Sequence, residues 1–318
     1  MQKTIAILTS GGDAPGMNAA LRAVVRKALS AGLEVYGVER GYDGLIGGRF
    51  MEMHHHSVAG IISRGGTMLR TARSQAFQTP EGFAIAVREL KDRQIDVLVV
   101  IGGDGSLAGA RRLADSGVAT VVIPATIDND MPATEYTLGF DSAVNTALDA
   151  VNKIRDTAAS HEQVAVVEVM GRHSGHIALT AGLACGAEII LLPEKPADIE
   201  AACQSLKRSH HRGKQYSIVI VAEGVGKGHD IAQEITVKTG LRTHVTVLGY
   251  IQRGGGPTAH DSIMASRMGA AAVDAILAGP ANCLMAWRQG GVVAVPYADI
   301  GEKPGVNLEL YDLAMVLA

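Results

Sequence analysis

The sequence predicts an α/β protein with two doubly wound parallel-sheet domains. Three observations predict it. Short Val/Ile-rich runs that do not alternate with polar residues recur along the chain, as strands buried on both faces do. Longer segments of helical pattern separate them, and this strand–helix alternation belongs to parallel sheets covered by helices. The units are too many for one sheet, and 318 residues suit two domains sharing a continuous body.

Each element follows from its local pattern. "TIAILTS" reads as a buried strand running into glycines, and "MNAALRAVVRKALSAG" as a helix stopped at Gly32. "EVYGVE" is a strand, "EGFAIAVRELKDR" a helix, and "DVLVVIGG" a strand that again ends in glycines. "SLAGARRLADSG" is a helix, "ATVVIPAT" a strand, and "DSAVNTALDAVNKIRDTAAS" a long helix. Beyond it come the strand "QVAVVEVMG", the helix "SGHIALTAGLACG", the strand "EIILLPE" and the helix "IEAACQSLKRSHHRG". The strand "YSIVIVAEG", the helix "IAQEITVKTG", the short strand "HVTVLGY" and the helix "DSIMASRMGAAAVDAILAG" complete the pattern. No fixed-period repeat and no low-complexity linker marks a domain boundary.

Composition narrows the function. The chain is 47% hydrophobic but only 4% aromatic, so its core is aliphatic. A net charge of −3 without a long basic run argues against a nucleic-acid partner. Cys185, Cys203 and Cys283 have no metal spacing, which fits a reduced cytoplasmic setting. The first apolar run is too short for a signal-peptide core, and no stretch approaches a membrane span. A soluble cytoplasmic protein is expected.

The chemistry concentrates where strands end. "SGGDAPGMN" (Ser10 to Asn18), "GGDGS" (Gly102 to Ser106) and "TIDND" (Thr126 to Asp130) each follow a strand. In open parallel sheets ligands bind beyond these carboxyl ends. Glycines let the backbone approach phosphate oxygens, and a following helix start favours anions. Phosphates and carboxylates repel unless a hard cation separates them, so Asp104 among glycines points to Mg²⁺ held by carboxylate and phosphate oxygens. The spacing of Asp128 and Asp130 can put both on one side, one for the metal and one facing a hydroxyl. Each turn alone reads equally as an ordinary turn; all three together do not. Neither G-x-G-x-x-G after the first strand nor the Walker pattern is present, which excludes a standard dinucleotide fold and a P-loop.

These motifs, with "SRGGT", "KIRDTAASHE", "VEVMGRHSG", "VAEGV" and "VTVLGYIQRGGGPTAHD", resemble the bacterial ATP-dependent 6-phosphofructokinase family, in register to about Gly279. The resemblance implies an ATP/Mg-binding domain of 1–139 plus 252–303 and a sugar-phosphate domain of 140–251 plus 304–318. It assigns Gly12, Tyr42, Arg73, Gly103, Asp104, Gly105, Ser106 and Gly109 to the nucleotide, and Asp104 and Asp130 to Mg²⁺. It makes Thr126, Asp128, Arg73 and Arg172 catalytic, with Asp128 the base for the sugar 1-hydroxyl. It assigns Thr126, Asp128, Asp130, Met170, Gly171, Arg172, Glu223 and Arg253 to fructose 6-phosphate. Gly105 and Ala125 stand where pyrophosphate users carry aspartate and lysine, so the donor is expected to be ATP, although Ala125 replaces the usual glycine.

The same resemblance implies a homotetramer and an effector cleft for ADP or phosphoenolpyruvate, lined by Arg22, Arg26, Arg155, Glu188, Arg212 and Lys214. His56 replaces that cleft's tyrosine and Ala59 a polar residue. "HHH", His54 to His56, reads as a solvated loop or, less simply, a metal site. The family completes its sugar-phosphate pocket with two arginines from a neighbouring subunit; here those substrate-binding positions are Gln163 and His244, and Tyr250 replaces a third residue, usually histidine. Three readings therefore stay open: a fructose 6-phosphate kinase of glycolysis, the same kinase with a changed acceptor, and a nucleotide-sensing paralogue. The retained Asp104, Thr126, Asp128, Asp130 and Arg73 argue against the last.

Overall fold

The computed structural model describes residues 3–279, 282–303 and 305–318. Its elements run β1 (Thr4–Ser10), α1 (Met17–Ser30), β2 (Glu34–Val38), α2 (Gly41–Ile46), β3 (Phe50–Glu52), α3 (Pro80–Asp92), β4 (Val97–Gly102), α4 (Asp104–Asp115) and β5 (Ala119–Pro124). They continue with α5 (Phe140–Ser160), β6 (Val164–Val169), α6 (His176–Cys185), β7 (Ile189–Leu191), α7 (Ile199–His211), β8 (Ser217–Ala222), α8 (Gly228–Thr239) and β9 (Thr243–Val247). Last come α9 (Ala259–Ala278), β10 (Cys283–Arg288), β11 (Gly291–Pro296) and α10 (Leu308–Leu317). The chain forms two compact units, Met1–Ser142 with Arg253–Pro304, and Ala143–Gln252 with Gly305–Ala318.

The first unit holds a seven-stranded sheet in the order β11-β10-β5-β4-β1-β2-β3. Its central strands are parallel and buried, as their uninterrupted Val/Ile runs require. Both edges depart from the all-parallel expectation: β3 runs antiparallel to β2, and β11 antiparallel to β10. The β10–β11 hairpin turns at Gln289 and Gly290, both with positive φ, a two-residue geometry that matches strand twist. A Gln-Gly pair is a weak turn signal, and the pattern reading stops before it. The second unit has a four-stranded parallel sheet, β7-β8-β6-β9. Among the described residues no helix is long and apolar enough to cross a membrane.

Local rules account for the helix ends. Thr79 caps α3, its hydroxyl accepting from Gly82 N at 3.1 Å, and Pro80 occupies the first turn where a missing N–H costs nothing. Helices α1 and α9 pack closely because Gly269 has no side chain: a Cβ there would lie 2.7 Å from the Ala20 carbonyl oxygen.

Asp261, at the start of α9, is fully buried. Its carboxylate accepts from Gly139 N (3.0 Å), Ser142 N (2.9 Å) and Ser142 Oγ (2.5 Å), tying down the entry to α5. Burial raises its pKa, against the lowering effect of those hydrogen bonds. Asp261→Ala orphans three buried donors and should cost about 3 kcal/mol or more, read as a fall in the urea midpoint of unfolding. The raised folded pKa fixes the sign of the pH dependence. The titration-linked part of the Asp261 contribution is fully present below the unfolded carboxyl pKa of about 4 and is lost as pH rises through the folded value. A midpoint equal to wild type would show that the donors find other partners.

Candidate active site

Strands β5, β4 and β1 are neighbours, with Ser10 paired to Gly102 and Gly102 to Pro124. The three Gly/Asp turns therefore leave the same sheet edge side by side. The chain passes from β1 to β2 on one side and returns to β4 on the other, which makes this the topological switch point where parallel sheets open a crevice. A cavity of about 790 Å³ opens there. Gly12, Tyr42, Arg73, Gly103, Asp104, Gly105, Ser106, Gly109, Thr126, Asp128, Asp130 and Arg253 all line it.

The floor is built for anions. Gly103 starts α4 without a side-chain cap, so the first-turn N–H groups carry the helix's positive end into the cavity. Ser106 Oγ is buried and has no hydrogen-bond partner. A Cβ on Gly102 would fall 2.4 Å from that oxygen, so only glycine fits beside it there. Gly11 takes a φ of +87°. A buried orphan hydroxyl beside an uncapped helix start fits a phosphate oxygen or a phosphate-bound cation.

Tyr42 forms one wall. Its hydroxyl donates to the Ser106 carbonyl at 2.7 Å, and its ring stacks on Phe77 with centroids 4.2 Å apart. Gly109 fits beneath it, since a Cβ there would sit 2.8 Å from the ring. Burial pushes the Tyr42 phenol well above its usual pKa, so it is a neutral donor. Phe77 is not singled out by any sequence motif; its role comes from the stack alone.

The turn after β5 is pinned from behind. Asp128 N donates to Thr126 Oγ1 at 3.2 Å, while Asn129 takes a positive φ. Asn129 Oδ1 accepts from Thr137 N at 2.8 Å, and Thr137 Oγ1 donates to Thr126 O at 2.6 Å. Asn129 and Thr137 are therefore the residues that hold Asp128 and Asp130 in place. Asn18 does the same for the segment before Arg73, accepting from Met68 N and donating to Arg64 O and Gly65 O. Arg253 packs over Gly12, where a Cβ would lie 3.1 Å from its Nη1.

Asp104 and Asp130 share one cation. Lys303 Nζ pairs with Asp104 Oδ2 and lies 3.4 Å from Asp130 Oδ2. Partial burial works against the ammonium, but the Asp104 hydrogen bond and both carboxylate charges hold its pKa above the ordinary lysine value. Among the described residues no group of three or more His, Cys, Asp or Glu could hold a metal. Two carboxylates with the remaining positions left to phosphate and water are what Mg²⁺ accepts. His54 and His56 stack on each other in an exposed loop, outside any such group.

In the second unit, parallel pairing of β6 and β8 puts Met170, Gly171, Arg172 and Glu223 at one sheet edge. Gly224 N donates to Gly171 O at 3.1 Å, and Glu223 N to Val169 O at 2.9 Å. The side chains of Arg172 and Glu223 are exposed. Gln163 and His244 lie toward the other end of the same sheet, about 23 Å and about 17 Å away by strand rise, and do not join this group within one chain. His244 is exposed, but Gln163 is only 7% exposed, with its Oε1 unpartnered. Tyr250 is 80% exposed.

Of the expected effector residues, Arg22 and Arg26 lie on α1 of the first unit and the others in the second. There Arg155 donates to Cys185 O, while Glu188 accepts from Ile218 N and pairs with Lys214. Arg212 follows the end of α7.

Comparison with known proteins agrees with this geometry. A family model described as phosphofructokinase matches residues 4–276. An ATP-dependent 6-phosphofructokinase of Halalkalibacterium halodurans is 51% identical over 317 residues, 99% of each chain. The T-state structure of Pichia pastoris phosphofructokinase superposes with a TM-score of 0.90 at 36% identity, over 94% of this chain and 35% of that one. A pyrophosphate-dependent phosphofructokinase from Marinobacter aquaeolei shares the fold at a TM-score of 0.84 and 23% identity, over 96% of this chain and 86% of that one. With its glycine–aspartate turns gathered at one sheet edge and its relatives matched end to end, the chain belongs to the phosphofructokinase family.

Proposed function

We infer that this protein is an ATP-dependent 6-phosphofructokinase, which transfers the γ-phosphoryl group of ATP to the 1-hydroxyl of fructose 6-phosphate in glycolysis. The observation that carries the reading is the convergence of Asp104, Thr126, Asp128, Asp130 and Arg73 on one cavity beside an uncapped helix start. Phosphoryl transfer needs positioning and charge neutralisation more than covalent chemistry. Asp128 takes the proton of the 1-hydroxyl as that oxygen bonds the γ-phosphorus and the β–γ bridging bond breaks. Arg73 stabilises the equatorial oxygens of the transferring group. Asp104, Asp130 and the Ser106 hydroxyl would hold Mg²⁺, which supplies neutralisation of the β- and γ-phosphate charge when bound. Tyr42 and the small Gly109 shape the nucleoside side.

Met170, Gly171, Arg172, Glu223 and Arg253 hold the sugar phosphate, and a neighbouring subunit of a homotetramer brings His244 to it. The distance of His244 from Arg172 and Glu223 along the sheet supports that cross-subunit role. Burial of Gln163 leaves His244 as the accessible member of the altered pair. Arg22 and Arg26 on α1, and Arg155, Arg212 and Lys214 in the second unit, are the cations that would take the phosphate of an ADP or phosphoenolpyruvate effector, with Glu188 paired to Lys214. The three free, buried cysteines suit the cytoplasm.

A coupled assay with Mg²⁺, ATP and fructose 6-phosphate tests the activity, and His244→Arg tests the pocket. A histidine is mostly neutral above pH 6.5, whereas arginine stays charged. His244→Arg should lower KM for fructose 6-phosphate about tenfold, the equivalent of roughly 1.4 kcal/mol. Turnover of another sugar but not of fructose 6-phosphate would favour the changed acceptor. An unchanged KM would remove His244 from the pocket.

A further inference from the structure

Asp104 opens α4 and Asp130 follows β5, yet their carboxylates are close enough to share the single ammonium of Lys303. Lys303 comes from a distant part of the chain, beyond β11. Its side chain is 48% exposed, against 44% for Asp104 and 22% for Asp130, so water reaches the contact that it makes with these two cavity-lining aspartates. We propose that Lys303 is a tethered counter-cation that fills the divalent-metal position while no metal is bound and must leave it for the metal to enter. The proposal rests on the assignment of Asp104 and Asp130 as metal ligands.

The physical reason is charge. Two carboxylates converging beside a phosphate site repel each other, and an ammonium between them relieves that strain. A divalent ion offers twice the charge and brings phosphate oxygens as further ligands, so it displaces the lysine when nucleotide arrives. Free metal lacks that help and competes with Lys303 directly. Its apparent dissociation constant is the intrinsic one divided by the fraction of molecules whose site the lysine leaves open. A half-exposed ion pair is a weak competitor, so the effect should be about two- to fivefold.

The test is Mn²⁺ binding to the nucleotide-free, full-length protein, read by electron paramagnetic resonance of the free ion. Lys303→Met should lower the Mn²⁺ dissociation constant about two- to fivefold, Lys303→Gln should do the same, and Lys303→Arg should stay near wild type. In parallel, Lys303→Met should melt below wild type in a chelating buffer and regain the difference with added Mg²⁺. Asp104→Asn serves as the control on the ligands. If Asp104→Asn weakens Mn²⁺ binding but Lys303→Met and Lys303→Gln leave it unchanged, the lysine proposal is overturned while the ligand assignment stands. If Asp104→Asn binds Mn²⁺ as wild type does, the ligand assignment fails and the proposal falls with it.

Discussion

Asp128→Asn should lower kcat by about 10²–10⁴-fold while leaving the affinity for ATP within a factor of about three. The asparagine keeps the size of the side chain but cannot take a proton. The turn that carries it is held by Asn129, Thr126 and Thr137, whose hydrogen bonds use no Asp128 side-chain atom. Those hydrogen bonds remain available in Asp128→Asn, so the turn keeps its backbone course and the loss is assigned to the chemical step. Single-turnover kinetics with saturating ATP separate that step from binding. A turnover within threefold of wild type would place the base elsewhere in the cavity.

Gly105→Asp should lower kcat/KM for ATP by about 10²–10³-fold with an unchanged melting temperature. Gly105 has no positive-φ strain, and a Cβ there would meet nothing within 4 Å, so the fold accepts a side chain. What it does not accept is charge. A carboxylate about 4 Å from a phosphate oxygen costs up to ~4 kcal/mol at an effective dielectric constant of about 20. Gly105→Ala adds volume without charge and should stay within about threefold of wild type. Equal losses in both variants would make the position one of space rather than electrostatics.

The parallel strands and their helices were legible in the sequence because burial on both faces writes itself as unbroken apolar runs. The glycine–aspartate turns were legible because chemistry at a strand end needs small residues next to charged ones. The edge strands, the six-residue α2 and the terminal α10 were not: β3 is three residues long, and β10–β11 turns on a Gln-Gly pair that carries little local signal.

The site divides along the same line. Sequence alone determined which residue types stand at the strand ends, since Asp104, Ser106, Thr126, Asp128 and Asp130 lie in short motifs whose chemistry is local. Tertiary structure alone decided what holds them. Phe77 under Tyr42, Asn18 and Asn129 behind the loops, and Asp261 beneath the entry to α5 are ordinary residues until the chain is folded. Lys303 is the extreme case, 173 residues from Asp130 in the chain and 3.4 Å from it in space. A motif records contacts between sequence neighbours. The pairing of distant segments is set by sheet order and packing, which no short stretch encodes, and the charge that Lys303 places between two aspartates exists only after that packing is complete.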